Sequence, residues 1–130
     1  MRILIVEDDR ASRKFLQEFL TRYGACDVVV DGLEALDAFL IALKEGNHYD
    51  LVCLDIMLPK VDGVKVLKAI RDLERQKGVL PKKRVKVIIM TALIGIELIQ
   101  KAFDIGCEGY LPKPIDTEKL VEILRVLELI

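Results

Sequence analysis

Apolar residues fall along this chain in two alternating rhythms. Short unbroken runs, Arg2-Ile3-Leu4-Ile5-Val6 and Val85-Lys86-Val87-Ile88-Ile89-Met90-Thr91, have the length and β-branched content of buried strands. A third, Leu51-Val52-Cys53-Leu54-Asp55-Ile56-Met57-Leu58-Pro59, is the stretch around which the chain is organised, because it carries one carboxylate and then a proline. Between the runs, apolar residues repeat at helical spacing. Phe15, Leu16, Phe19 and Leu20 do so over 12–23, with Gly24 as a stop, and Leu33, Leu36, Ala38, Phe39, Leu40 and Leu43 over 32–44, closed by Gly46-Asn47. Val64, Val66, Leu67, Ile70 and Leu73 follow over 63–76, then the polar connector 77–84. Weaker strands are predicted over 27–30 and 109–111, and a helix over 95–105 stops at Gly106. The last helix is capped by Asp116 and carries Leu120, Ile123, Leu124 and Leu127 on one stripe.

Five strands alternating with five helices imply parallel strands joined by right-handed crossovers, an α/β doubly wound sheet. The expected strand order is 2-1-3-4-5, because the first strand must neighbour the third for their terminal acids to meet. At 130 residues the chain is expected to be one domain, 1–130, without repeats, linkers or an output domain.

Composition narrows the function classes. Twenty Lys and Arg nearly balance 21 Asp and Glu, and His48 is the single histidine, which argues against direct nucleic-acid binding and a His-rich metal site. Hydrophobic content is 52%, yet no run approaches a membrane span and Met1-Arg2 leads straight into a strand, so a soluble cytoplasmic protein is expected. Cys26, Cys53 and Cys107 are widely spaced with no C-x-x-C pair, and Cys53 reads as a small core hydrophobe. Lys82-Lys83-Arg84 precedes the fourth strand and is read as a solvated loop at the sheet end away from the site.

In this topology the carboxyl ends of strands one, three, four and five present Glu7, Asp8 and Asp9, then Asp55, then Thr91, then Lys113. Carboxylates gathered in one pocket repel, so either some are protonated or a cation neutralises them. All-oxygen ligands suit a hard cation, and Mg²⁺ needs few protein ligands because it keeps several waters; Asp8, Asp55 and a main-chain carbonyl just past Asp55 are candidates. Lys113 can pair with Asp55 or an incoming anion, and Thr91 can donate to that anion. A carboxylate beside Mg²⁺ and a lysine is a competent nucleophile toward phosphorus.

Glu7-Asp8-Asp9, Leu54-Asp55-Ile56-Met57-Leu58-Pro59 with Asp62-Gly63, Met90-Thr91-Ala92, and Gly109-Tyr110-Leu111-Pro112-Lys113-Pro114 resemble the response-regulator receiver domain, the CheY-like phosphoacceptor family, over the whole chain and in order. The resemblance implies that Asp55 is the phosphoacceptor, that Glu7 and Asp8 organise Mg²⁺, and that the Met57 carbonyl completes the ligands. It further implies that Thr91 and Lys113 contact the phosphoryl group, that Lys113-Pro114 is cis, and that Tyr110 is the aromatic switch residue. The long connector and the apolar Leu93-Ile94-Gly95-Ile96 depart from the family pattern.

The expected function is that of a two-component response regulator. A sensor histidine kinase or His-phosphotransfer protein would charge it, and a downstream protein or homodimer partner would read it; it would catalyse only its own phosphorylation and dephosphorylation. A Mg²⁺-dependent aspartyl-phosphate phosphatase is the rival class, but such enzymes carry an acid/base Asp two residues past the nucleophile, where this chain has Met57. A pseudo-receiver that never takes phosphate would not need Asp8, Asp55, Thr91 and Lys113 together. On the fourth helix, Leu98, Ala102 and Ile105 form the stripe expected to face the sheet, leaving Ile96, Ile99 and Phe103 as a second stripe. Either that stripe helps form an output face with the fifth strand and fifth helix, or it folds under neighbouring loops.

Overall fold

The computed structural model describes residues 1–92 and 95–130; the apolar departure at Leu93 and Ile94 lies outside the described residues. The elements are β1 (Arg2–Val6), α1 (Arg10–Leu20), β2 (Ala25–Val29), α2 (Gly32–Lys44), β3 (Leu51–Leu54), α3 (Gly63–Gln76), β4 (Lys86–Thr91), α4 (Ile96–Ile105), β5 (Gly109–Pro112) and α5 (Thr117–Val126). All strand pairs are parallel, in the order β2-β1-β3-β4-β5. The connector before β4 contains one short 3-10 turn, Pro81–Lys83.

Strand periodicity divides the core into two layers. Leu4, Val6, Val52, Leu54, Val87 and Ile89 point to the face covered by α2, α3 and α4, where Phe39, Leu67, Ile70 and Ala102 meet them. Their neighbours Ile3, Ile5, Leu51, Cys53, Ile88 and Met90 point the other way, against Leu16 and Leu20 of α1 and Leu120 and Leu124 of α5. A strand buried on both faces has little room for polar residues, which is why β1, β3 and β4 read as apolar runs with Arg2, Lys86 and Thr91 confined to strand ends.

Four helices start at carboxylate caps: Asp9, Asp31, Asp62 and Asp116 each accept from a backbone N–H in the first turn that follows, whereas α4 starts at Gly95 without a side-chain cap. Not every apolar residue at helical spacing is interior, for Phe15 and Leu33 are exposed. On α4, Ala102 is buried and Leu98 and Ile105 pack partly into the core; of the second stripe Ile99 is half-buried, whereas Ile96 is 87% and Phe103 43% exposed, so those two are not folded under loops. The three cysteines are free thiols.

Charge is also buried, at the sheet end away from the strand carboxyl termini. Arg71 lies between Glu74 (2.6 Å) and Glu108 (2.7 Å) and also donates to the carbonyls of Val85 (2.9 Å) and Gly106 (2.7 Å from Nη2, 3.1 Å from Nε). Glu74 accepts from Val85 N–H at 2.8 Å and Glu108 from Val87 N–H at 2.6 Å, which ties α3, β4 and the α4–β5 turn into one unit. Burial raises the Glu108 carboxyl above its ordinary value even though Arg71 opposes the shift. Gly106 holds the turn at φ 127°, in the region that favours glycine, with the Arg71 side chain packed where a Cβ would point.

Candidate functional site

The carboxyl ends of β1, β3, β4 and β5 meet along one edge of the sheet, because the order places β1 beside β3 and β4 between β3 and β5. Asp55 is the first residue past β3; its N–H still bonds Val6 carbonyl at 3.1 Å, so the backbone that carries it is fixed by the ladder. Its side chain is held from two sides: Oδ1 accepts from Met57 N–H at 2.9 Å and Oδ2 from Lys113 Nζ at 2.7 Å. Gly63 lets α3 start against this loop, since a Cβ there would fall 2.3 Å from the Asp55 carbonyl and 2.6 Å from Ile56 Cα.

Glu7, one residue past β1, is buried, and its Oε1 accepts a second hydrogen bond from Lys113 Nζ while Oε2 accepts from Asp9 N–H at 3.2 Å. Burial raises the Glu7 carboxyl, only partly offset by Lys113 and the Asp9 N–H. Burial works against the Lys113 charge as well, but its hydrogen bonds to Asp55 and Glu7 win and its pKa is raised. The ammonium thus bridges residues 106 and 58 positions away in the chain.

Asp8 is exposed at the rim, and one carboxylate oxygen each from Glu7, Asp8 and Asp55 lie within 4.8 Å of one another. Three carboxylate oxygens, with one partly buried ammonium opposite, form a hard-donor set that suits a small divalent cation completed by water. Met57 has an exposed side chain and reaches the site through its backbone. Thr91 is fully buried at the end of β4, and its carbonyl accepts from Lys113 N–H at 2.9 Å. Tyr110 is half-buried on β5, paired in register with Ile89, and the Lys113-Pro114 peptide is cis. Asp9, gathered with the acids by sequence, turns away to cap α1, accepting from Ser12 N–H at 2.9 Å.

Two supporting residues have no sequence signal beyond proximity. Arg13 Nη1 donates to the carbonyls of Glu7 (3.2 Å) and Asp8 (3.1 Å), fixing the acid loop from the first turn of α1. Lys60, at φ 68° in the loop after Asp55, lies 3.3 Å from buried Asp31 and links the β2–α2 and β3–α3 connections. The Arg13 contacts reach back only six and five residues, whereas the Lys60 contact needs two loops to converge, which no local pattern reports.

Residues 3–125 match the family model of the response regulator receiver domain, and the chain belongs to that family. It is 37% identical over 128 residues to "Response regulator MprA" of Mycobacterium sp. (strain KMS), covering 98% of this chain and 50% of that protein. With "Chemotaxis protein CheY" of Treponema pallidum (strain Nichols) it shares 34% over 123 residues, 93% of this chain and 78% of that one. The chain therefore spans about half the length of the MprA relatives it matches. Among solved structures it is similar to the CheX-CheY-BeF3-Mg²⁺ complex from Borrelia burgdorferi, with TM-score 0.85 and 25% identity over 98% of this chain and 89% of that one. The receiver domain of the Arabidopsis thaliana histidine kinase CKI1, complexed with Mg²⁺ and BeF3⁻, gives TM-score 0.84 at 25% identity, with the same coverage of 98% and 89%.

Proposed function

We propose that this receiver accepts a phosphoryl group on Asp55 from a sensor histidine kinase or a His-phosphotransfer protein in a Mg²⁺-dependent reaction. The observation that carries the reading is the placement of the Asp55 carboxylate at the end of β3, clamped between Met57 N–H and Lys113, with Glu7 and Asp8 beside it. An Asp55 carboxylate oxygen attacks phosphorus, a P–O bond forms, the P–N bond of the phosphohistidine breaks, and the imidazole leaves with the electron pair and takes a proton from solvent. Glu7, Asp8, Asp55 and the Met57 carbonyl would hold the cation, which supplies charge neutralisation for the transferring group. Lys113 stays within reach of the new phosphoryl oxygens because it already touches Asp55, and the Thr91 hydroxyl is assigned to donate to them. Attack of water on the same phosphorus returns the carboxylate and inorganic phosphate, so the chain catalyses only its own phosphorylation and dephosphorylation.

Readout is assigned to α4, β5 and α5: exposed Ile96 and Phe103 give this face an apolar surface, and Thr91 and Tyr110 connect it to the site, biasing two packings of which a downstream protein or homodimer partner binds one better. A cytoplasmic setting is part of the same proposal; no described helix is long and apolar enough to cross a membrane. Incubation with a small phosphodonor and Mg²⁺, read by intact mass, should add a single phosphate that Asp55→Asn removes. Comparable uptake of one labile phosphate by that variant would show the assignment to be wrong.

A further inference from the structure

We propose that the groove between α3 and α4 is a docking site for an acidic amphipathic peptide segment of a partner protein. The groove encloses about 520 Å³, and its lining is basic on both walls: Lys65, Lys68, Arg71 and Arg75 from α3 and Lys101 from α4, over Val64 and Ile105. Residues 64, 68, 71 and 75 recur at helical spacing, as do 101 and 105, so each wall is one helix face. No acidic side chain lines the groove among the described residues.

The cations divide into two kinds. Arg71 is spent inside the protein, on Glu74, Glu108 and two carbonyls, and Arg75 pairs with exposed Asp72. Lys65, Lys68 and Lys101 are exposed, and among the described residues none lies within 4.0 Å of a carboxylate oxygen. In a chain whose formal net charge is −1, three uncompensated ammonium groups converging on one groove form a local excess. The other basic stretch is balanced differently: Lys82, Lys83, Arg84 and Lys86 share their cavity with Asp50 and Glu128.

Charge and shape together select the occupant. Val64 and Ile105, both half-buried, offer an apolar floor that a phosphate backbone cannot use but an aliphatic side chain can, while carboxylates on either side meet the lysine rim. The volume takes a few side chains, within the range of ordinary ligand clefts. The proposal stands apart from phosphoryl transfer, and its test uses the unphosphorylated chain.

The probe is a fluorescein-labelled helical peptide with glutamates at i, i+4 and i+7 and a leucine at i+3, titrated with the full chain by anisotropy. The control carries glutamine for glutamate. We expect saturable binding to the glutamate peptide, several-fold weaker on going from about 50 mM to about 300 mM NaCl, and loss with the control. Lys65→Glu/Lys68→Glu/Lys101→Glu should weaken binding at least about tenfold, since three charge pairs each worth a few-fold are reversed. The reference Lys82→Glu/Lys83→Glu should change it less than about twofold. Thermal melts by circular dichroism check folding, and Lys65→Gln/Lys68→Gln/Lys101→Gln, with a smaller loss, serves if the reversal lowers the melt. No saturable binding, equal binding by the lysine variants, or a single-stranded oligonucleotide binding more tightly through the same lysines would overturn the proposal.

Discussion

Replacing Lys113 with methionine keeps the stem and deletes the one charge shared by Glu7 and Asp55. In the parent, the ammonium lies 2.7 Å from Asp55 Oδ2 and also bonds Glu7, whose side chains are 7% and 2% exposed. Removing one partner from a buried ion pair costs about 3–5 kcal/mol, and Lys113, itself partly accessible, belongs at the low end, about 3 kcal/mol. Some of the strain is relieved by protonating Glu7, whose carboxyl is already raised by burial. A divalent cation would relieve more, because it would no longer compete with an ammonium for the same oxygens; a site filled at a hundred times its Kd adds about 2.7 kcal/mol. Urea unfolding followed by circular dichroism, in EDTA and in excess Mg²⁺, measures both. The metal-free variant should be about 3 kcal/mol less stable than the parent and should gain more from Mg²⁺ than the parent does. Equal stability in EDTA, or a smaller Mg²⁺ gain, would refute the reasoning that Lys113 holds this acid cluster in the metal-free state.

Three other outcomes follow from geometry elsewhere. Arg71→Met leaves Glu74 and Glu108 facing each other without their cation and should cost about 3–5 kcal/mol in urea unfolding, with part recovered by adding Glu74→Gln; a loss below about 1 kcal/mol would mean the network is not closed. Gly63→Ala drives a methyl into the Asp55–Ile56 backbone and should destabilise by about 1–3 kcal/mol while slowing the proposed phosphate uptake, so an unchanged rate and melt would show that α3 does not brace the Asp55 loop. The Tyr49 hydroxyl, buried and donating to Asp27 at 2.7 Å, is pushed up from its ordinary 10.0 to about 12. Between those values the unfolded chain releases the proton and the folded chain keeps it, so stability that is full below pH 10 falls as pH rises, by on the order of 2 kcal/mol; Tyr49→Phe should flatten that slope, and an identical slope would exclude Tyr49 as its source.

That Asp55, Glu7, Asp8 and Lys113 share one edge was legible in the sequence because a parallel strand buried on both faces has no ordinary use for Asp55 or Glu7, and chain order alone sends all strand ends to that edge. Helical spacing was informative about direction but not about depth: Leu16 and Phe15 are neighbours in the same pattern, yet one is buried and the other exposed. Arg71 was invisible for a related reason. It sits beside Ile70 on the core side of α3, and nothing in the local pattern distinguishes a solvated arginine from one that finds Glu74 three residues on and Glu108 thirty-seven residues on. Burial of such a charge is decided by whether its partners arrive, which is a property of the assembled fold.

The two ends of the sheet are consequently built on opposite principles. At one end the Arg71 guanidinium has its donors engaged, and the acids it meets also hold the backbone N–H groups of Val85, just before β4, and Val87 within it, so displacement of any member exposes several buried polar groups at once. At the other end a single ammonium on a flexible stem answers two buried carboxylates while a third stands exposed, and negative charge exceeds positive. Such an end has a deficit that an added cation removes and an added phosphoryl group would rearrange, whereas the Arg71 guanidinium itself has no donor left for a ligand. Because Gly106, at the foot of α4, is bonded into the closed end and Thr91, at the tip of β4, belongs to the open one, any change in charge balance at Asp55 acts on an element that is anchored at its far end. That asymmetry favours displacement of α4 near the site over displacement near Gly106, and amide hydrogen exchange across α4 with and without phosphodonor should change more toward Ile96 than toward Ile105.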